Sequence, residues 1–321
     1  MDAFSCNTLL ICFGGGIVGA ALGGLLSFLI CALSVLLGCM MVMMGGTDFL
    51  LLQVGLGPIF GPHVGGFAAG VAAATYAAGV RKNHPTGAAK DILSPLIGTS
   101  WDVLLIGGAF SLFGHLFVTM FGTLPIIKDF DVLGLTVVVS ALLARLLFQK
   151  QMPWGNPESI RQHGYLGTNN YALSWIPWAL PLSKLTVFGF GAGLLSGALA
   201  AGATSVMAPA VAQGTISSAN ATVVPLILGW SVAGVSLIGL QLGTASVQRM
   251  PAWHCQAVLA GLSYVLFGSI LVAGIVGVVA TLLQELMARM FWNHGDNHID
   301  PPATAITLGT FVLVYINRFI H

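Results

Sequence analysis

The chain has 321 residues, 56% of them apolar and 7% charged, with a formal net charge of +1. A soluble protein carries roughly 25% charged residues, so this chain lacks the polar surface that a soluble fold of its size requires. The charge balance offers nothing to a nucleic-acid partner, and several apolar runs reach the ~20 residues a helix needs to cross a bilayer. The expected class is an all-α integral membrane protein with the lipid bilayer as its main partner.

In chain order the apolar segments fall at 9–44, 48–82, 98–123, 131–149, 185–213, 222–247, 253–287 and 302–320. The first is too long for one straight crossing and predicts a long tilted helix, or a helix plus a broken piece. No basic region precedes it, so it reads as a first membrane helix and not as a cleavable signal. The second is interrupted by "GLGPIFGPHVGG" at 55–66, where Gly and Pro make a continuous helix untenable. The stretch 150–184 is the longest polar one, and its Trp154, Trp175 and Trp178 suit a membrane interface. The five Cys form no CxxC pair. Cys12, Cys31 and Cys39 lie in apolar runs and read as small core hydrophobes. The 42 Gly let helix backbones approach closely in lipid, which also favours a homo-oligomer.

The two halves echo one another. "GIVGAALGG" (16–24) matches "GLLSGALAA" (193–201), and "PIFGPHVGG" (58–66) matches "PLILGWSVAG" (225–234) with one insertion. "SLFGHLFV" (111–118) matches "VLFGSILV" (265–272), "KDFD" (128–131) matches "NHID" (297–300), and "ARLLF" (144–148) matches "NRFI" (317–320). The expected organisation is a membrane repeat at 1–149, a cytoplasmic linker at 150–184 and a second repeat at 185–321. That is about eight spans in two tandem four-span repeats, with broken or re-entrant Gly-Pro segments. Arg81, Lys82, Lys90, Arg145, Lys150, Arg161, Lys184, Arg249 and Arg318 then share one side, leaving Lys128 and Arg289 on the other. The positive-inside rule places both termini in the cytoplasm and the 293–300 loop outside the cell (inner) membrane. A five-plus-five inverted arrangement stays open because the first segment is overlong.

Candidate site residues follow from polar groups in apolar surroundings. His63 sits in "GPHVGG" beside Gly61 and Gly65, where Pro62 removes a backbone donor. Non-helical backbone at membrane depth persists only when buried in protein or lining a wet cavity. The repeat aligns Ser231 with His63, which predicts a solute or ion site on the pseudo-twofold axis. The competing reading is a kink with His63 bonded to a carbonyl. Asp48 is costly at the membrane centre, about 2.5–3.5 kcal/mol on insertion scales. Either it caps a short helix with Thr47, or it lines a vestibule to His63 with Gln53. His115 is either an interhelical hydrogen bond or pore-lining. Asp102 and His254 follow Trp101 and Trp253 and read as helix-start residues. Glu285 and Arg289 have i,i+4 spacing for a helical ion pair. In "NHGDNHIDPP" (293–302), His294, Asp296 and His298 offer donors for a divalent metal, or they form a hydrogen-bonded loop. Asp300 and its counterpart Asp131 read as helix caps before Pro301 and Val132.

With "FGPH" at 60–63 and "HGDNHIDPP" at 294–302, the chain resembles a family of prokaryotic multi-pass membrane proteins of uncharacterised function. Its members carry Gly-rich first helices, an "FGPH" break and a C-terminal "HGDxHIDPP". The resemblance spans most of the chain and implies a permease-like protein. The expected function is a channel or transporter for a small solute or ion. The alternatives are a membrane metalloenzyme built on the 293–300 loop and a structural subunit of a homo-oligomer or complex.

Overall fold

A computed structural model of the chain describes residues 2–167, 173–177, 181–243 and 250–320. The described residues form twelve α-helices and no strand. Seven helices are long and apolar enough to cross a membrane, and Cys6–Leu22 and His254–Phe267 are shorter apolar helices. Their outer faces expose Leu10, Val18, Leu37, Leu116, Val187, Ile275, Val279 and Val312. Such apolar exteriors are costly in water and are consistent with a membrane location. Trp178 and Arg249 lie outside the described residues.

The long first apolar run is two helices. Helix α1 (Cys6–Leu22) starts at Ser5, whose hydroxyl accepts from Thr8 N, and stops at Gly23 with φ 87°. Glycine adopts that conformation without steric cost. Helix α2 (Gly24–Met43) then returns. The broken segment settles the direction. Cys12 Sγ donates to Pro58 O and Gly19 abuts Gly65, whereas Gly38 abuts Leu51 and Gly24 abuts Gly70. Residues 58–65 therefore run alongside α1, and residues 51–70 run antiparallel to α2. The segment is a wedge between the arms of a hairpin: a π-helical turn (Phe49–Gly55), an irregular stretch through Pro58 and Pro62, and helix α3 (Ala68–Tyr76), which continues as a π-helical turn to Arg81.

Helices α4 (Trp101–Phe121), α5 (Val132–Ala144), α6 (Pro157–His163), α7 (Leu182–Ala212), α8 (Ser218–Val235) and α9 (Ile238–Gln241) follow. The run 253–287 is again two helices. Gly268 (φ 66°) separates α10 (His254–Phe267) from α11 (Ile270–Met287). Gln284 Nε2 donates to Ala252 O at 3.1 Å and Cys255 Sγ to Ala280 O at 3.8 Å, so the pair is antiparallel. Helix α12 (Pro301–Ile320) ends the described chain. Glycine contacts close the packing: Gly16 on Gly107 joins α1 to α4, Gly189 on Gly277 joins α7 to α11, and Gly234 on Ala32 joins α8 to α2.

These hairpins correct the expected sidedness. At the start of α4, Asp102 pairs with Arg81. Towards its other end, His115 Nε2 bonds Ala3 O and Asp129 pairs with Arg318. Both termini therefore lie at the end opposite Arg81, not with it. The 293–300 loop was expected across the membrane from the linker. It lies against it instead: Gln151 bonds Asp296 through both amide atoms, and Ser159 bonds His294. Arg289, which donates to Leu166 O, exchanges ends with Arg318. The physical reason is that each glycine hairpin adds a reversal inside a run that hydropathy reads as one crossing, which inverts everything after it. Two of the sequence echoes fall at similar local places, the caps of α5 and α12 and the ends of those two helices, whereas 16–24 crosses the Gly23 turn and 193–201 lies inside unbroken α7. The "PIFGPHVGG" and "SLFGHLFV" echoes do not, since each matches a broken or turned segment to an unbroken helix.

Candidate functional site

Where α2, α5, α8, α10 and α12 meet, they enclose a cavity of about 210 Å³. Aromatic rings form much of its wall. Phe28 of α2 lies 5.9 Å from Phe67, 5.3 Å from Trp230 and 5.2 Å from His254, centroid to centroid. Trp175 and Trp292 complete the aromatic lining. Two helices start here. Phe67 precedes α3 and Trp253 precedes α10, and neither start has a side-chain cap. In α3 the first amides are satisfied, Ala68 N by Pro62 O and Ala69 N by Val64 O. In α10 the amides of His254, Cys255 and Gln256 have no acceptor among the described residues. His254 is buried, lines the cavity, and its Nδ1 has no partner.

The cavity also receives Asp131, Asp300, His298 and Lys90. Both carboxylates do what their positions before α5 and α12 predict. Asp131 Oδ1 accepts from Gly134 N at 2.6 Å and Asp300 Oδ2 from Ala303 N at 2.8 Å. Each charge thus sits on the positive end of a helix. His298 Nδ1 accepts from Trp292 Nε1–H at 3.1 Å. Its proton is therefore on Nε2, which donates to Asp300 Oδ1 at 3.3 Å. Lys90 Nζ donates to Asn293 O at 3.0 Å and stands 3.9 Å over the Trp292 ring. An ammonium has three donors, so Lys90 keeps capacity for a solute.

The candidate metal set does not assemble. No group of three or more His, Cys, Asp or Glu among the described residues could hold a metal ion. His294 Nε2 donates towards Gly164 O and Tyr165 O, at 3.1 and 3.2 Å, and its Nδ1 accepts from Ser159 at 2.8 Å. Asp296 is held by Gln151 and His298 by Trp292 and Asp300. Alternation along the chain aims these side chains at three different neighbours, so they share no centre.

His63 and Ser231 lie apart from the cavity lining. His63 is buried with Nδ1 unpartnered, and its carbonyl presses on Gly114 of α4. Gly61 and Gly65 admit the close backbone turns around it. Ser231 is fully buried and donates to Leu228 O of its own helix at 2.7 Å. Asp48 makes no capping bond; it accepts from Asn220 Nδ2 at 3.1 Å, while Thr47 accepts from Phe49 N. Gln53 is half-buried in the π-helical turn and away from the cavity. His115 tethers the N-terminus through Ala3 O at 2.8 Å. Sequence reasoning missed the aromatic wall because its rings stand at 28, 67, 175, 230 and 292, at no common spacing.

The family model for DUF7973, a family of unknown function, matches residues 1–319. The chain belongs to the DUF7973 family. No curated protein and no solved structure matches it.

In this DUF7973 chain, Lys90 supplies a measurable signature. Burial, aided by Arg145 and opposed by Asp296, pushes its pKa from 10.5 down to about 8. Below pH 8 the folded and unfolded chains both hold the proton, and the cost of burying the charge is present in full. Between 8 and 10.5 only the unfolded chain holds it, so stability rises with pH in that window. The melting temperature of the purified protein should gain upward slope from pH 8 to 10, and Lys90→Met should flatten it. Equal slopes in both proteins would remove Lys90 from the cavity's charge balance.

Proposed function

We propose that this chain is a membrane transporter for a small solute, bound in the central cavity. The observation that supports this is a cavity set between the two halves, with an uncapped helix start and an unpartnered histidine in its wall. Solute sites in transporters lie at the junction of structural repeats, where interrupted helices present unpaired backbone groups. The packing follows that plan: α1 with α4 answers α7 with α11, and α3 answers α10 as the half-length helix. Five segments per half reverse the second half relative to the first, so the reading is a five-plus-five inverted repeat. The positive-inside rule then puts Arg81, Lys90, the linker and the 293–300 loop in the cytoplasm, and both termini outside.

The cavity volume is below the ~300–1,000 Å³ of sites for drug-sized ligands, so the solute is about one ring in size. Cysteine accessibility in proteoliposomes tests the proposal. In a cysteine-free protein, Ala303→Cys on the cavity wall should be labelled by a small thiol reagent applied to either face. Gln151→Cys in the linker should be labelled from the cytoplasmic face alone. If Ala303→Cys is inert from both faces, transport through this cavity is wrong.

A further inference from the structure

We propose that the solute enters the central cavity from the cytoplasmic face past Lys90, and that the Lys90 side chain, lying on the Trp292 ring, is the gate on that route. This rests on the cavity being the solute site.

The cavity has a neighbour. A second, more open recess is lined by Lys82, Phe148, Gln149, Lys150, Gly295 and Asp296 among others. Its walls come from the π-helical turns that continue α3 and α5, which pack with Gly79 against the Phe148 carbonyl, and from the 293–300 loop. Lys90 is the one described residue that lines both this recess and the central cavity. At that point the partition between the two is a side chain and not a helix.

The side chain is held lightly. Lys90 Nζ donates to Asn293 O at 3.0 Å and stands 3.9 Å over the Trp292 ring, and both of these partners are uncharged. Arg145, which reaches into the same loop, has four acceptor contacts instead. The backbone next to Lys90 is pinned. Asp91 accepts from Leu93 N, Ser94 N and the hydroxyls of Thr86 and Ser94, and Ile92 O accepts from Leu25 N at 2.8 Å. Trp292 is pinned as well, because its Nε1–H donates to His298 Nδ1. What remains free to swing is the four-carbon stem of the lysine.

A swing needs a second resting place, and the recess supplies one. Asp296 is exposed, and Gln151 is its hydrogen-bond partner. No cation pairs with Asp296 among the described residues. With Lys90 on the Trp292 ring the route is closed. With Lys90 on Asp296 it is open. Moving one side chain between two partners admits a solute while the helices stay in place.

The test uses the cysteine-free protein carrying Ala303→Cys in proteoliposomes. Two small membrane-impermeant methanethiosulfonates, one anionic and one cationic, are applied from the cytoplasmic face, with Gln151→Cys as the rate reference. Lys90→Ala should speed labelling of Ala303→Cys at least tenfold with both reagents, and leave the rate from the outer face within twofold. Asp296→Asn should slow cytoplasmic labelling at least threefold with both reagents. That change is at an exposed residue, so it keeps the test decisive if Lys90→Ala fails to fold. Opposite shifts for the two reagents would mean that Lys90 acts by charge alone and would overturn the gate. Unchanged rates in both variants would overturn it too. Either result leaves the cavity as a solute site. If Ala303→Cys is inert from both faces in every variant, the cavity reading falls and the gate falls with it.

Discussion

Arg145→Met should cost this protein most of its stability. Arg145 is fully buried and donates to Asn297 Oδ1 at 2.6 Å, Pro153 O at 2.5 Å, Phe291 O at 2.8 Å and Asn297 O at 3.1 Å. Removing it leaves four acceptors unsatisfied at about 1–3 kcal/mol each, against a typical total stability of about 5–15 kcal/mol. Arg145→Lys should fail nearly as badly, because an ammonium cannot reproduce the guanidinium fork. Gly295→Ala reaches the same result from the other side, since a Cβ there would overlap the Arg145 guanidinium. The readout is the monodisperse fraction on size exclusion and the melting temperature in detergent. A drop of less than about 4 °C, the scale of 1 kcal/mol in a modest-sized domain, would show that the loop is not held by Arg145.

The second large effect lies at the wedge. A Cβ on Gly19 would overlap the Gly65 carbonyl, and one on Gly114 would overlap the His63 carbonyl. Gly19→Ala and Gly114→Ala therefore press the broken segment from two sides. Overpacking costs about 1–3 kcal/mol, and here the obstacle is backbone that cannot rotate away. The double variant should lose more than the sum of the singles, because both strain one segment. Gly14→Ala and Gly202→Ala, which meet nothing within 4 Å, should instead be neutral or stabilising by up to about 1 kcal/mol. Equal melting temperatures for all four variants would mean that 57–66 is not clamped.

Much of this was legible from composition and local chemistry. Charge scarcity gave the class, "GLGPIFGPHVGG" gave the break, and Asp131 and Asp300 gave two helix starts. The Glu285–Arg289 pair was readable from i,i+4 spacing and closes at 2.9 Å. The hairpins were not readable. Gly23 and Gly268 carry positive φ among 42 glycines, and nothing local marks the two that turn the chain. With those turns missed, the runs 9–44 and 253–287 each read as one crossing, and the 293–300 loop was placed across the membrane from the linker residues it touches. His298 and Asp300 were noticed for their chemistry, and His254 read as a helix-start residue, which it is in α10. Only the fold shows that α10 starts against Phe28.

The bond between Arg145 and Asn297 spans 152 residues, and that separation has a consequence for biosynthesis. Chains are synthesised at about 5–20 residues per second, so Arg145 emerges from the ribosome roughly 8–30 s before its partner. During that interval a guanidinium at the end of α5 has none of its final acceptors at 291 and 297. A ribosome stalled before residue 291 would leave the nascent half unlocked and exposed to the proteases of membrane quality control. The contacts of Arg145 with residues 291 and 297 thus form only after both halves of the bundle have been synthesised.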